Sequence, residues 1–419
     1  MISIQHLVEN VSFYKDELKK RFKDESLAEQ TKEAYLNWKT AQQELESLRQ
    51  VKNEFNDTVM KLSGDEKITK ISEMKVVSEK IKVLEGETRE LKENMDNLLA
   101  KIPNLTWEGM PVGPDSDSNV EIAVYGKKPE FSFEPKNYYD LPVFKRDYLS
   151  QKGVEAAGFR GYYISGELSK FQRVLFNWVL DRLISANFEY IIPPIAVTEE
   201  LMKGTGFFPS GKDDVYSLSD GKDEKFVPGT SEPQLMFRYS NEVLDLDKPK
   251  KLTAWTTCFR KEIGSYGKDV KGGFRVHQFE KVETVFICKP ADTYKVFEEM
   301  TSVFHDTLDQ LGIYYHDLET STGDNSLKNH RMIDIEGWFP AEGRFRELCS
   351  SSICTDYQTR NLNIKYKKED GTLELAHSLN CTGITNRTML CILEQFQQEG
   401  GRVKIPQVLV EKFGKEYLE

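Results

Sequence analysis

The sequence predicts an α+β chain in two parts. An N-terminal antiparallel helical coiled-coil arm occupies residues 1–103, and a domain of mixed helices and antiparallel strands occupies residues 104–419. Three observations carry this reading. Residues 27–62 contain neither Gly nor Pro and place apolar side chains at steps of three and four, and a matching pattern follows the break at Ser63-Gly64-Asp65. Residues 102–136 then gather Pro103, Gly109, Pro111, Gly113 and Pro114 with a DSDSN run, which reads as a linker. From about residue 137 the periodicity changes and helical and alternating segments mix to the end.

Composition bounds the function. A chain of 419 residues with 39% hydrophobic side chains is long enough for two domains and a sizeable core. The formal charge of −11 argues against sequence-independent coating of nucleic acid, while leaving room for local basic patches. The N-terminus MISIQHLVENVSFYKDELKK carries charges where a signal peptide needs an apolar core. No run of about 18 apolar residues exists, so no membrane association is expected and the expected compartment is the cytoplasm. The six cysteines show no CxxC spacing and read as reduced core residues rather than zinc ligands or a disulfide framework.

Residues 1–22 read as a short amphipathic helix with Ile4, Leu7, Val8, Val11 and Leu18 on its apolar side. The first long helix of the arm carries Tyr35, Trp38, Ala41, Leu45, Leu48, Phe55, Val59 and Leu62, with a weak slot near Val51–Lys52. The second carries Ile71, Met74, Val77, Ile81, Leu84, Leu91, Met95 and Leu98. Such helices joined by a Gly-containing turn make a coiled-coil hairpin projecting roughly 50 Å at ~1.5 Å per residue. Acidic residues slightly outnumber basic ones along it, although Lys61, Lys67, Lys70 and Lys75 cluster near the tip.

In the second part, a very apolar helix is expected at about 166–186, followed by a strand Phe188–Val197 interrupted by Pro193-Pro194, which suits an edge or an interface. The segment PGTSEPQLM sets Thr230 and Glu232 two residues apart, on one side if extended; a helix N-cap with an acidic first turn reads equally well. Thr256–Ile287 reads as two strands joined by a charged loop with Gly264, Gly267, Lys268, Lys271, Gly272 and Gly273. Alternation puts Arg275, His277, Phe279, Lys281 and Glu283 on one face and Phe274, Val276, Val282 and Phe286 on the other. With Cys258, Arg260 and Glu262 sharing a face of the first strand, the hairpin looks like a pocket for a phosphate, an aromatic ring and an ammonium group. A solvated polar face of an antiparallel sheet shows the same pattern.

The runs CFRKEIGSYGKD and GGFRVHQFEKVE resemble motif 2 of the class II aminoacyl-tRNA synthetases, in the form found in seryl-tRNA synthetases. FRELCSSS (345–352) and HSLNCTGITNRTMLCILEQF (377–396) resemble segments further along the same family, the second its motif 3, and the apolar helix with its Pro-broken strand resembles motif 1. The resemblance covers nearly the whole chain. It implies a class II antiparallel sheet flanked by helices, and a dimeric, Mg²⁺- and ATP-dependent ligase joining L-serine to tRNA-Ser, with the arm reaching the tRNA.

It also implies residue roles. Arg260, Lys261, Glu262, Arg275, Phe279, Glu347, Leu348, Cys349, Ser350 and Arg387 would meet ATP. Thr230, Ser231, Glu232, Arg260, Glu283 and Thr382 would meet serine, and Glu347 with Ser350 would hold Mg²⁺. Arg260, Glu262 and Arg387 are the catalytic candidates. Arg260 would bridge carboxylate and α-phosphate, Glu262 would accept from the adenine amino group, Phe279 would stack on the ring, and Arg387 would sit over the adenine on the opposite face or reach the γ-phosphate. Cys349 stands where the family has a small residue such as Ser, and Asn380–Arg387 is one residue shorter than the family's spacing. Two other functions fit parts of the pattern: a synthetase paralogue that activates an amino acid for another carrier, and a non-catalytic coiled-coil RNA-binding or scaffold dimer.

Overall fold

The computed structural model describes the chain except for residues 62, 265, 266, 268 and 270 and the side chain of Lys61. Leu62, Lys268 and the charged end of Lys61 therefore lie outside the described residues. The chain forms two compact units, Ile2–Pro103 and Asn104–Glu419.

In the first unit, the single helix expected at 1–22 is two, Ile4–Glu9 and Val11–Lys20, separated at Asn10. Two long helices follow, α1 (Ser26–Thr58) and α2 (Gly64–Leu99), packed against each other. Thr31, Ala34, Leu45, Ile81, Thr88 and Met95 are buried on these two helices. At the weak slot Lys52 is half-buried while Val51 is exposed. Ile71, expected on the seam, is exposed, as are Met60 and Ile68 near it. Arg49–Glu85 at 2.7 Å ties the two helices across the seam. Such an exposed pair contributes on the order of 0.2–1 kcal/mol, so the buried stripe is the main support.

The second unit is built on an eight-stranded sheet. Its strands in chain order are β1 (Val120–Tyr125), β2 (Glu189–Tyr190), β3 (Lys250–Phe259), β4 (Gln278–Cys288), β5 (Tyr315–Glu319), β6 (Arg331–Phe339), β7 (Arg344–Thr355) and β8 (His377–Thr385). Across the sheet they run β1-β5-β6-β7-β8-β4-β3-β2. Every neighbouring pair is antiparallel except β2 with β3, which is parallel. The expected ten-residue strand at 188–197 shrinks to β2 because Pro193 and Pro194 have no N–H to give the ladder.

Helices α3 (Gly166–Ser185), α4 (Glu232–Phe237), α5 (Thr293–Leu311) and α6 (Asn386–Gln395) flank the sheet. Val282, Phe286 and Cys288 of β4 join the main apolar core with Phe171, Leu175, Phe304 and Leu390 from the helices. Val285 and Ile287 alternate to the opposite face and pack with Leu235, Leu252 and Ala254. The apolar circumference of α3 is thereby satisfied inside its own chain, with nine of its residues buried. Phe279, Lys281 and Glu283 share the face of Val285, and they begin the site.

Candidate active site

β3 and β4 pair residue for residue, which sets Ala254 beside Glu283, Thr256 beside Lys281 and Cys258 beside Phe279. Arg260 follows β3 and keeps the ladder going, its N–H donating to the His277 carbonyl at 2.9 Å. Its guanidinium donates to the Gly229 carbonyl at 3.4 Å and lies 5.4 Å from the Phe279 ring centroid. Gly229 has to be small, since a Cβ there would sit 2.6 Å from Arg260 Cγ. β4 starts at Gln278, four residues later than the alternation suggested, and Phe274–His277 are irregular, bent backbone. Gly272 and Gly273 adopt positive φ there, and a Cβ on Gly273 would lie 2.4 Å from the Tyr148 hydroxyl. His277 turns from the pocket to hydrogen-bond the Arg260 carbonyl.

A narrow cavity opens over this hairpin. Arg260, Glu262, Arg275, Phe279, Lys281, Glu347, Leu348, Cys349, Ser350, Thr382 and Arg387 all line it. Glu262 has φ +56°, a costly backbone for a non-glycine residue, and its carboxylate accepts from Arg275 Nη1 at 3.0 Å. Lys261 departs from expectation: it is absent from the lining, and its backbone N–H is taken by the Asp214 carbonyl.

Glu347 and Ser350 reach the cavity from β7, where a bulge falls opposite Ile335/Glu336. The bulge shifts the pleat, so two side chains three apart both serve one cavity while Leu348 and Cys349 anchor in the core. Arg387 Nη1 donates to Glu347 Oε2 at 2.8 Å, and its guanidinium lies 4.6 Å from the Phe274 ring centroid. Burial pushes the Glu347 carboxyl upward, but the Arg387 charge, with Arg260 and Lys281, outweighs it and holds the group below its usual range. Asp334, opposite Ser350 on β6, is pushed well above the carboxylate range by burial and then by the Glu347 charge. Among the described residues no three His, Cys, Asp or Glu side chains converge on a ready-made metal site. An ionised, half-exposed carboxylate and a partly exposed hydroxyl fit a hard cation only together with ligand oxygens.

Beside the lining residues Lys281 and Thr382, Glu283 is 1% exposed and accepts from the Thr230 hydroxyl at 2.8 Å. Lys281 is ion-paired to it and donates to the same Thr230 hydroxyl at 3.2 Å. Burial, only partly offset by Lys281, pushes the Glu283 carboxyl up. Thr382 is the register partner of Glu283 on β8, beside a bulge at Gly383. The Ser231 hydroxyl is buried and has no partner among the described residues.

Thr230-Ser231-Glu232 is not extended. Glu232 opens α4, so Thr230 and Glu232 diverge, and the Glu232 carboxylate faces Lys328, Gln358 and Asn380 instead of the cavity. β8 runs directly into the helix, and the Thr385 hydroxyl caps it by accepting from the Arg387 N–H at 3.2 Å. Arg387 thereby stands on the cavity wall.

Known proteins give the same picture. Residues 1–106 match the family model for the seryl-tRNA synthetase N-terminal domain, and residues 216–396 match that for the tRNA synthetase class II core domain (G, H, P, S and T). A serine–tRNA ligase of Rhodococcus jostii is 34% identical over 420 residues, covering all of both chains. The chain belongs to the seryl-tRNA synthetase family. Among solved structures, a seryl-tRNA synthetase from Pyrococcus horikoshii complexed with ATP matches with TM-score 0.87 and 31% identity, covering 100% of this chain and 99% of that one. A cytoplasmic serine–tRNA ligase from Naegleria fowleri in complex with AMP matches with TM-score 0.84 and 29% identity over 100% and 99% of the two chains. The class II fold expected from the sequence is therefore the fold of the family.

Proposed function

We propose that this chain is a serine–tRNA ligase that makes seryl-adenylate from L-serine and ATP and then esterifies the 3′ end of tRNA-Ser. The observation that carries it is a cavity lined together by Arg260, Glu262, Phe279 and Thr382, with the buried Glu283 carboxylate next to it as the ion-pair partner of Lys281 and the register partner of Thr382. In the first step a serine carboxylate oxygen forms a bond to the α-phosphorus as the bond to the pyrophosphate oxygen breaks. Two anions must meet, so Arg260 is assigned to bridge them, its position preset by Gly229 and Phe279. Phe279 stacks on the adenine, and Glu262, turned by Arg275, accepts from its amino group.

Arg387 neighbours Glu347, which favours the phosphate chain over the adenine ring as its partner. Glu347 and Ser350 would hold Mg²⁺, which supplies charge neutralisation along the phosphates. Glu283 and Thr230 receive the serine ammonium, and Thr382 lines the side-chain end. A site that hydrogen-bonds the hydroxyl rejects alanine by leaving buried polar groups unpaired. In the second step the ribose hydroxyl of the tRNA attacks the activated carbonyl carbon and AMP leaves; no residue is needed beyond positioning.

Residues 1–103 are assigned to tRNA binding through the arm, where Lys70 and Lys75 lie near the tip on α2, and residues 104–419 to catalysis. A homodimer is proposed through the sheet edge at β2, where Ile192 is 82% exposed and Tyr190 and Ile195 are exposed beside it. No helix among the described residues is long and apolar enough to cross a membrane, and six free, buried thiols suit the cytoplasm. Serine-dependent ATP–pyrophosphate exchange tests the first step: the chain supports it in Mg²⁺, and Arg260→Ala lowers kcat by about 10²–10³. Exchange unaffected by that substitution would remove Arg260 from the mechanism.

A further inference from the structure

Beyond Arg260 the chain leaves the β3–β4 ladder, so the N–H groups that follow need partners elsewhere. One residue supplies two of them. The Lys261 N–H donates to the Asp214 carbonyl at 2.8 Å, and the Ile263 N–H donates to Asp214 Oδ1 at 3.1 Å. The two donors belong to the residues flanking Glu262, whose φ of +56° lies in the left-handed region. A non-glycine residue keeps that backbone only where its surroundings over-determine it. Asp214 itself stands on a firm base. It closes a single helical turn, Lys212–Asp214, and the next residue, Val215, is buried with Leu201, Phe208 and Phe226. The Lys212 ammonium pairs with Glu199 at 2.7 Å and ties down the start of the turn. Asp214 is absent from the cavity lining, whereas Glu262 is part of it, its carboxylate met by Arg275.

We propose that Asp214 is a positioning residue for the nucleotide end of the site. By accepting from both residues that flank Glu262, it holds the left-handed backbone from which the Glu262 carboxylate reaches the cavity. Asp214 acts through Glu262 and not by contact with substrate. Released from this clamp, Glu262 relaxes toward an ordinary φ, and its side chain leaves the direction that the clamped backbone sets. A turn 49 residues before Ile263 thereby governs how well the amino group of adenine is read. The inference deepens the serine-activating reading and rests on its assignment of Glu262 to that amino group.

The test is serine-dependent pyrophosphate exchange by the full chain with ATP and with purine riboside triphosphate, which is ATP without the amino group. In Asp214→Ala the backbone carbonyl remains, so only the bond to the Ile263 N–H is lost. Its kcat/KM for ATP falls about five- to tenfold, mainly through KM, while that for purine riboside triphosphate stays within about twofold. Asp214→Asn keeps an acceptor oxygen and behaves as the parent. In a Glu262→Ala background, Asp214→Ala has no further effect on ATP. Equal losses with both nucleotides overturn the proposal, because they trace the effect to general loosening of the site. An unchanged kcat/KM for ATP in Asp214→Ala overturns it too, as does an Asp214→Asn variant equally impaired. Where Asp214→Ala does not fold, Asp214→Leu also lacks the acceptor and is read the same way. Failure of the underlying reading shows separately, as absence of serine exchange in the unchanged chain, or as a Glu262→Ala variant whose preference for ATP over purine riboside triphosphate equals the parent's.

Discussion

Replacing Glu283 by glutamine removes one charge from the inner end of the site and keeps its shape and its acceptor for the Thr230 hydroxyl. Its carboxyl is pushed up by burial despite Lys281. The folded state therefore keeps the proton over a pH window in which the unfolded chain has released it, and stability from this group falls as pH rises through that window. At neutral pH the ionised group is a net cost to the fold. Lys281 lines the cavity, so it can hydrate when its partner is gone. Glu283→Gln is accordingly as stable as the parent at pH 7 or more so, and its relative stability improves as pH rises. Activity moves the other way. A charge-assisted hydrogen bond to the substrate ammonium is lost, about 2–3 kcal/mol, so serine kcat/KM falls about 30- to 150-fold. The limb of the parent's pH profile that reports Glu283 ionisation disappears with it. Thermal melts at several pH values and exchange kinetics measure both. A variant that melts several degrees lower at pH 7, or retains serine kcat/KM within about threefold, would refute the reasoning.

Other consequences are testable directly. Glu347→Gln raises the Mg²⁺ concentration needed for half-maximal exchange by about tenfold, read by metal titration; an unchanged midpoint puts the cation elsewhere. Ile192→Asp converts a sedimenting dimer to monomer without lowering the melting temperature of the catalytic unit, and a persistent dimer would move the interface away from the β2 edge. The thiols of Cys258, Cys288 and Cys354 are pushed by burial to about 11, about 12 and about 12. Ellman's reagent at pH 7.5 should therefore label none of the six buried cysteines until the chain is unfolded, and rapid labelling of any would contradict their packing.

What the sequence revealed and what it hid divide along physical lines. Arg260, Glu262 and Phe279 are legible because alternation along two short strands gathers them on one side, whereas Arg387 is reached only through the family resemblance. Glu347 and Ser350 were found by resemblance, since a strand of strict alternation would have separated them and only the bulge brings them together. Of the two conformations the PGTSEPQLM run allows, the helix N-terminus with an acidic first turn is the one that forms, and the start of α4 turns Glu232 away from Thr230. Lys281 sat on the correct face but was not given a role, because its meaning comes from the Thr230 hydroxyl on another segment. Lys328 left no local trace: it lies in a loop 96 residues from Glu232, and such a pair is written only in tertiary structure. Asp334 was hidden for the same reason, its neighbours being supplied by β7.

The measurement closest to the central claim is charging of purified tRNA-Ser by the full chain with each amino acid in turn, in the presence of ATP and Mg²⁺. The account predicts ester formation with serine alone, dependent on Arg260 and lost when the arm residues Ser26–Leu99 are deleted while pyrophosphate exchange survives. Exchange with serine but no transfer to tRNA by the intact chain would contradict it and point to another acceptor for the adenylate.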